Sequence, residues 1–227
     1  METMFLRLFL SFCLVFLGCR SSGDHVRVGG SAKLMEVSHL QKIQRINESL
    51  QNQNLPEEQK SQFLCQKGKL YLDLARYEES IQNYSEALSL RNPPFNPSEV
   101  HMNLGKAYIG KNEYAKAIQF LNQAERADRN FNTEERKKLV VQSLVAEKEY
   151  YPALAALSKS YHKGNQKKDS FYYETAAKTY LKMGYEYKNL GFYKKSFQVS
   201  SLGLQEYPES ETLRSIQRDC SEVLEGK

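Results

Sequence analysis

Apolar residues fall at helical intervals along almost the whole chain, in blocks separated by prolines, glycines and polar loops. Leu40, Ile43, Ile46 and Leu50 predict an amphipathic helix over Leu34 to Asn52. Pro56, followed by Glu57 and Glu58, marks the next start, because Pro costs little in a first turn and carboxylates suit the positive end of the helix dipole. That helix runs to about Leu74, and a second takes Tyr77 to Leu90 with Ile81, Tyr84, Ala87 and Leu88 on its apolar face. The proline-rich stretch Asn92 to Pro97 stops the chain, and Ser98 is the expected cap of the next helix. A third pair starts at Asn132 or Thr133 and continues from Tyr150, and a fourth extends from as early as Ser170 through Asn189 and on to Tyr207. Leu213, Ile216, Cys220, Val223 and Leu224 make a final amphipathic helix. No strand-period segment is flanked by hairpin turns, so the expected class is all-α.

The blocks repeat. Leu104-Gly105, Tyr108, Tyr114, Ala117, Leu121 and Ala124 find counterparts in Gly68, Tyr71, Tyr77, Ser80, Tyr84 and Ala87, and again in Met183-Gly184, Tyr187, Tyr193, Ser196 and Gly203. A recurrence at roughly 30 to 40 residues implies stacked supersecondary units. The offsets resemble the tetratricopeptide repeat, a helix-turn-helix of about 34 residues with Leu-Gly-x-x-Tyr in its first helix and Ala-x-x-x-Phe in its second. The copy over Ser98 to Asn130 is the least degenerate; the third has Val141 in place of the glycine. The resemblance implies a right-handed α-solenoid of about four repeats (61–94, 98–131, 134–167 and 177–210) within 56–210. A capping helix at 34–55 and another at 211–227 complete the expected body.

The amino terminus is of another kind. Phe5 to Leu17 is almost wholly apolar, too short to span a bilayer as a helix, and Val15-Phe16-Leu17-Gly18-Cys19 resembles the lipobox of bacterial lipoproteins. On that resemblance 1–18 is a signal peptide, read from Met1 or from Met4, and Cys19 is the acylated first residue of the mature chain. An ordinary cleaved signal, or a core helix with a chance Gly-Cys, is the alternative. Arg20 to Lys33, with Gly29-Gly30-Ser31, reads as a flexible tether of roughly 20 Å. Cys65 and Cys220, at opposite ends of the array, are expected to be free thiols, since a disulfide needs Cα atoms within about 7 Å.

Composition narrows the function. A net charge of +5 over 227 residues, with Lys and Arg alternating with Glu and Asp, is no nucleic-acid footprint. His25, His39, His101 and His162 have no ligand partners at metal spacing, and no phosphate loop or nucleophile elbow is present. No catalytic residue, metal or cofactor is expected. The resemblance implies a concave groove lined by the first helix of each repeat. Carried onto this chain, its surface comprises Gln62, Gln66, Lys69, Asp73, Glu99, Asn103, Lys106, Lys138, Gln142, Lys178, Lys182, Tyr185, Lys188 and Asn189. Bases and amides predominate, which suits an acidic or C-terminal peptide of a protein partner. The sequence thus predicts a bacterial envelope lipoprotein, anchored in the outer membrane and facing the periplasm or the surface, that serves as an interaction scaffold. Alternatives are a self-associating structural envelope protein or an accessory subunit of an outer-membrane or pilus assembly machine. The oligomeric state stays open.

Overall fold

The computed structural model describes residues 26–91, 96–162 and 167–226, with side chains from Lys33 onward. Among the described residues there are ten helices and no strand: α1 Val26–Leu50, α2 Glu57–Asp73, α3 Tyr77–Ser89, α4 Pro97–Gly110, α5 Tyr114–Ala127, α6 Thr133–Ala146, α7 Tyr150–His162, α8 Ser170–Tyr187, α9 Leu190–Glu206 and α10 Glu211–Leu224. The chain divides into two compact units inside α1, between Gln44 and Arg45.

In the first unit, α1 starts at Val26, so residues 26–33, expected as tether, are helical. Once a helix is nucleated, each added residue contributes a hydrogen bond, and this carries the turn through Gly29-Gly30 against their low propensity. Ile43 is buried as expected, whereas Leu40 is 42% exposed, along with Leu34, Met35 and Val37.

In the second unit α2 to α9 form four antiparallel pairs, each packed on the next, and α10 closes the series against α9 and α8. No single core exists. One cluster joins the first pair to the second through Tyr84, Val100 and Leu104; another joins the second to the third through Met102, Leu121, Phe131 and Leu139. Val141, Ala153, Leu157 and Ala176 join the third to the fourth, and Ala177, Leu181, Leu213, Ile216 and Cys220 seat α10. Each unit is stabilised by its neighbours, the quasi-one-dimensional logic of a solenoid.

Within a pair the helices cross at a small residue. A Cβ on Gly68 would sit 3.0 Å from the Tyr84 ring, and one on Gly105 would sit 2.8 Å from Leu121 Cγ. In the first pair the Ser80 hydroxyl donates to the Gly68 carbonyl at 2.9 Å; in the fourth, Ser196 donates to Ala177 at 2.7 Å. This second bond corrects the register of the last copy. Ala176-Ala177 with Tyr180, not Met183-Gly184 with Tyr187, occupies the Leu-Gly-x-x-Tyr place of the first helix. Gly184 belongs to a further turn, where its missing side chain admits the Tyr193 ring.

Every hairpin turns through a left-handed, non-glycine residue: Ala75, Asn112, Lys148 and Lys188. In all four the following N–H reaches back five residues (Arg76 to Tyr71, Glu113 to Tyr108, Glu149 to Leu144, Asn189 to Gly184), which satisfies carbonyls the helix end would otherwise leave open. Neighbouring turns are stapled together. Lys111 pairs with Glu78 at 3.2 Å, Glu147 accepts from the Ala115 N–H at 3.1 Å, and Glu186 accepts from Lys148 at 2.9 Å and the Tyr150 hydroxyl at 3.0 Å. Apart from the buried Tyr150 and the half-buried Lys111, these groups are exposed, so the ion pairs set register more than they stabilise.

Two further details refine the sequence reading. Asn96, rather than Ser98, caps α4: its side chain accepts from the Glu99 N–H at 3.1 Å, Pro97 follows at the first helical position, and Ser98 is buried. Asparagine wins because Pro97 removes one orphan donor and leaves the Glu99 N–H within its reach. Arg136, only 2% exposed, donates to the carbonyls of Asp128, Arg129 and Phe131, and so holds the α5–α6 loop with one side chain. Cys65 and Cys220 are free thiols, as the spacing predicted.

Ala117, fully buried at the second crossing, has no room for a larger side chain. Ala117→Leu is expected to cost about 1 to 3 kcal/mol, read as a fall in melting temperature of roughly 2 to 4 °C per kcal/mol. His101 carries an Nδ1 that is buried without a hydrogen-bond partner, and its ring stacks on Phe120 at 6.2 Å. Burial pushes its pKa below the ordinary value. Protonation is therefore easier in the unfolded chain, so stability is full above about pH 6.5 and falls as the pH drops below it. His101→Phe should flatten that fall in thermal melts compared across the same pH range.

Candidate functional site

The first helices α2, α4 and α6 lie directly against one another. Their free faces carry most of the side chains expected in the groove, gathered into two halves. In the amino-terminal half, Gln62, Gln66, Lys69, Glu99 and Asn103 line a hollow of about 380 Å³ with Cys65, Tyr84 and Val100. A second hollow of about 430 Å³ shares Lys69, Glu99 and Asn103 and adds Asp73, Lys106 and Phe131. In the carboxy-terminal half, Gln142, Lys178 and Lys182 line a hollow of about 340 Å³ with Val145, Ala146, Phe171, Glu174, Thr175 and Thr212.

The two halves differ in charge. Lys106 forms an ion pair with Glu135 at 2.6 Å, and Lys69 shares its hollow with Asp73 and Glu99. The amino-terminal basic groups are thereby offset by carboxylates. In the carboxy-terminal half the sole carboxylate on the wall, Glu174, accepts from Ser210 at 2.7 Å. Lys178 and Lys182, one turn apart on α8 and both exposed, have no ionic partner among the described residues. Two uncompensated cations beside Phe171 and Val145 can receive an acidic segment that also carries an apolar side chain.

Several expected groove residues are engaged elsewhere. Asn103 is buried, and its amide donates to the Tyr84 hydroxyl at 2.9 Å, joining the second pair to the first. Burial raises the Tyr84 pKa far above the ordinary range, so this phenol stays neutral. Lys138 pairs with Asp169 at 3.3 Å and lies 4.9 Å from the centre of the Phe171 ring. Asp169 also caps α8 by accepting from the Tyr172 N–H at 3.0 Å and accepts a short bond of 2.5 Å from Tyr161. Burial opposes its ionisation, yet these donors together hold its pKa below the usual carboxylate value. Tyr185 packs edge-on against Tyr193 at 5.3 Å, and Asn189 caps α9 by accepting from the Gly191 N–H at 2.8 Å. Tyr185, Lys188 and Asn189 lie in the fourth hairpin's turn and line none of the three hollows, because α8 is one turn longer than the repeat pattern implies. Phe131, Phe171 and Thr212 line the groove without having been expected there. The aromatic residues among them stand beside loops, where helical periodicity gives no signal. Cys19 lies outside the described residues. Among those residues, no group of three His, Cys, Asp or Glu side chains could hold a metal ion.

Residues 61–93 and 98–131 match the tetratricopeptide repeat model. Among solved structures, one from the functional characterisation of Pseudomonas aeruginosa pilF aligns with a TM-score of 0.51 at 18% identity, over 78% of this chain and 72% of that one. A structure of MamA aligns with a TM-score of 0.54 at 16% identity, over 82% of this chain and 99% of its own. A search of curated proteins returns no significant match. At such identities the structural likeness is one of fold: the body is an all-α solenoid of tetratricopeptide repeats.

Cys65 offers a probe of the groove. Burial, and then the Glu99 carboxylate, push its thiol up to about 11. Alkylation by iodoacetamide near neutral pH should therefore be much slower than that of a free thiol. Glu99→Gln should speed it by lowering the pKa, and a bound groove ligand should suppress it.

Proposed function

We propose that this chain is a bacterial envelope lipoprotein, held at a membrane through an acylated Cys19, whose repeat solenoid serves as a scaffold for a protein partner. A repeat body presents side chains from rigid helices, so its mechanism is recognition. The observation that carries the reading is the uncompensated Lys178 and Lys182 pair on the groove wall beside Phe171. Such a wall takes an acidic peptide segment, with charge at the lysines and an apolar side chain against the aromatic ring. The amides of Gln62, Gln66 and Gln142 supply hydrogen bonds to an extended backbone along the same surface.

The anchor rests on the short apolar run ending in Gly18-Cys19. No described helix is long and apolar enough to cross a membrane. The absence of Asp after Cys19, where Arg20 stands, favours delivery to the outer membrane.

A photo-crosslinking residue placed at Lys106 or Lys182 in living cells is expected to capture one and the same partner. Lys178→Glu together with Lys182→Glu should cut that yield by tenfold or more, because two favourable contacts become repulsive. Capture from the second helices alone would overturn the groove assignment. Cys19→Ser should separately move the chain out of the acylated membrane fraction, followed by fractionation and fatty-acid labelling.

A further inference from the structure

The fourth hairpin departs from its siblings at its tip. From the crossing residue to the left-handed turn residue is seven positions in the first three pairs (Gly68 to Ala75, Gly105 to Asn112, Val141 to Lys148) but eleven from Ala177 to Lys188. From the turn back to the crossing is five positions in each of the first three (Ala75 to Ser80, Asn112 to Ala117, Lys148 to Ala153) but eight from Lys188 to Ser196. Both helices therefore carry one extra turn, an extension of about 5 Å. The extension buries Met183, Gly184 and Tyr193 but exposes more than it hides. Tyr185, Tyr187 and Leu190 are 54%, 49% and 55% exposed within a run of six residues.

The chemistry around these side chains is one-sided. Lys188, Lys194 and Lys195 are all exposed, and Lys195 lies near the Tyr180 and Phe192 rings, 5.7 and 5.9 Å from their centres. The carboxylate within the turn, Glu186, is taken up by Lys148 and Tyr150 of the preceding hairpin. Asp219 and Glu222 of α10 act on the Tyr185 flank, which leaves the Tyr187–Leu190 side as the basic one. A leucine and tyrosines that have an apolar body and a polar end, ringed by lysines on long stems, match the boundary layer of an anionic bilayer. Leu190 would enter the acyl boundary, the phenols would remain at headgroup depth, and the ammonium groups would meet lipid phosphates.

We infer that the tip of the α8–α9 hairpin is a second membrane contact: an anionic lipid surface is its partner, and it orients the solenoid independently of any lipid on Cys19. The contact does not depend on the groove having a ligand.

The chain contains no tryptophan, so Leu190→Trp in the full chain reports on this tip alone, and Leu202→Trp, at another exposed position on α9, serves as its control. With vesicles of phosphatidylethanolamine and phosphatidylglycerol, emission at position 190 should shift to the blue and be quenched by brominated lipid, with little change at 202. Phosphatidylcholine vesicles should give no shift. Neutralising Lys188, Lys194 and Lys195 to Gln should weaken the tip's partitioning by about 100-fold, with helix content unchanged by circular dichroism. An unshifted spectrum at 190 on anionic vesicles overturns the inference, as does an equal shift at 202. A blue shift without vesicles that grows with protein concentration also overturns it, because a second copy would then be the occupant.

Discussion

Everything in the repeat body depends on how closely two helix backbones can approach inside each pair. Gly68 and Gly105 have no Cβ to hold the partner helix off, and Ala117 and Ala177 have the smallest one available. Where a serine takes the facing place, at Ser80 and Ser196, its hydroxyl is buried and satisfied by the carbonyl across the crossing. The same two atoms that permit the approach also fix its register, because a hydroxyl buried without that carbonyl would cost more than the bond returns. Val141 shows that the constraint can be met differently: Ala153 stands opposite, and the pair closes around a larger side chain.

Close crossings turn the first helices inward, side by side, and so create the groove. They do not decide its charge. That is set between repeats, where Glu135 of α6 reaches Lys106 of α4 and Asp169 at the start of α8 reaches Lys138 of α6. Each such pair spends one cation of the wall on holding neighbouring units together. Lys178 and Lys182 stand where the next unit, α10, offers Thr212 rather than a carboxylate. The basic part of the groove therefore follows from Thr212 standing where the earlier units supply a carboxylate.

The α8–α9 hairpin also differs from the earlier ones in its neighbours. Earlier turns are matched in length and stapled to the next, Tyr77 against Gly110 and Glu147 against the start of α5. Among the described residues the fourth turn is followed by a single helix, α10, rather than by another hairpin, and it carries an added turn that the earlier ones lack. Tyr187, Leu190, Lys188, Lys194 and Lys195 stay exposed there, although α10 packs against α8 and α9.

Much of this was legible in the residues themselves. Helix positions, the pairing of helices, the expected class and the free thiols follow from periodicity and from where prolines and small residues fall, because such signals act within a turn or two of the chain. Gln66, Lys69, Glu99, Gln142, Lys178 and Lys182 could be placed on the groove wall only because the resemblance to the tetratricopeptide repeat supplied its groove-facing positions. Three things needed tertiary structure. Met183-Gly184 mimics the repeat signature, and only the bond from Ser196 to Ala177 shows that the true crossing lies seven residues earlier. Asn103 and Lys106 look like free recognition groups until Tyr84 and Glu135 arrive from neighbouring helices. Tyr185 and Asn189 fall into the groove pattern by spacing, yet the extra turn carries them past it. Local periodicity determines which face a side chain takes, whereas contacts between units distant in sequence determine whether that side chain is still available to a partner.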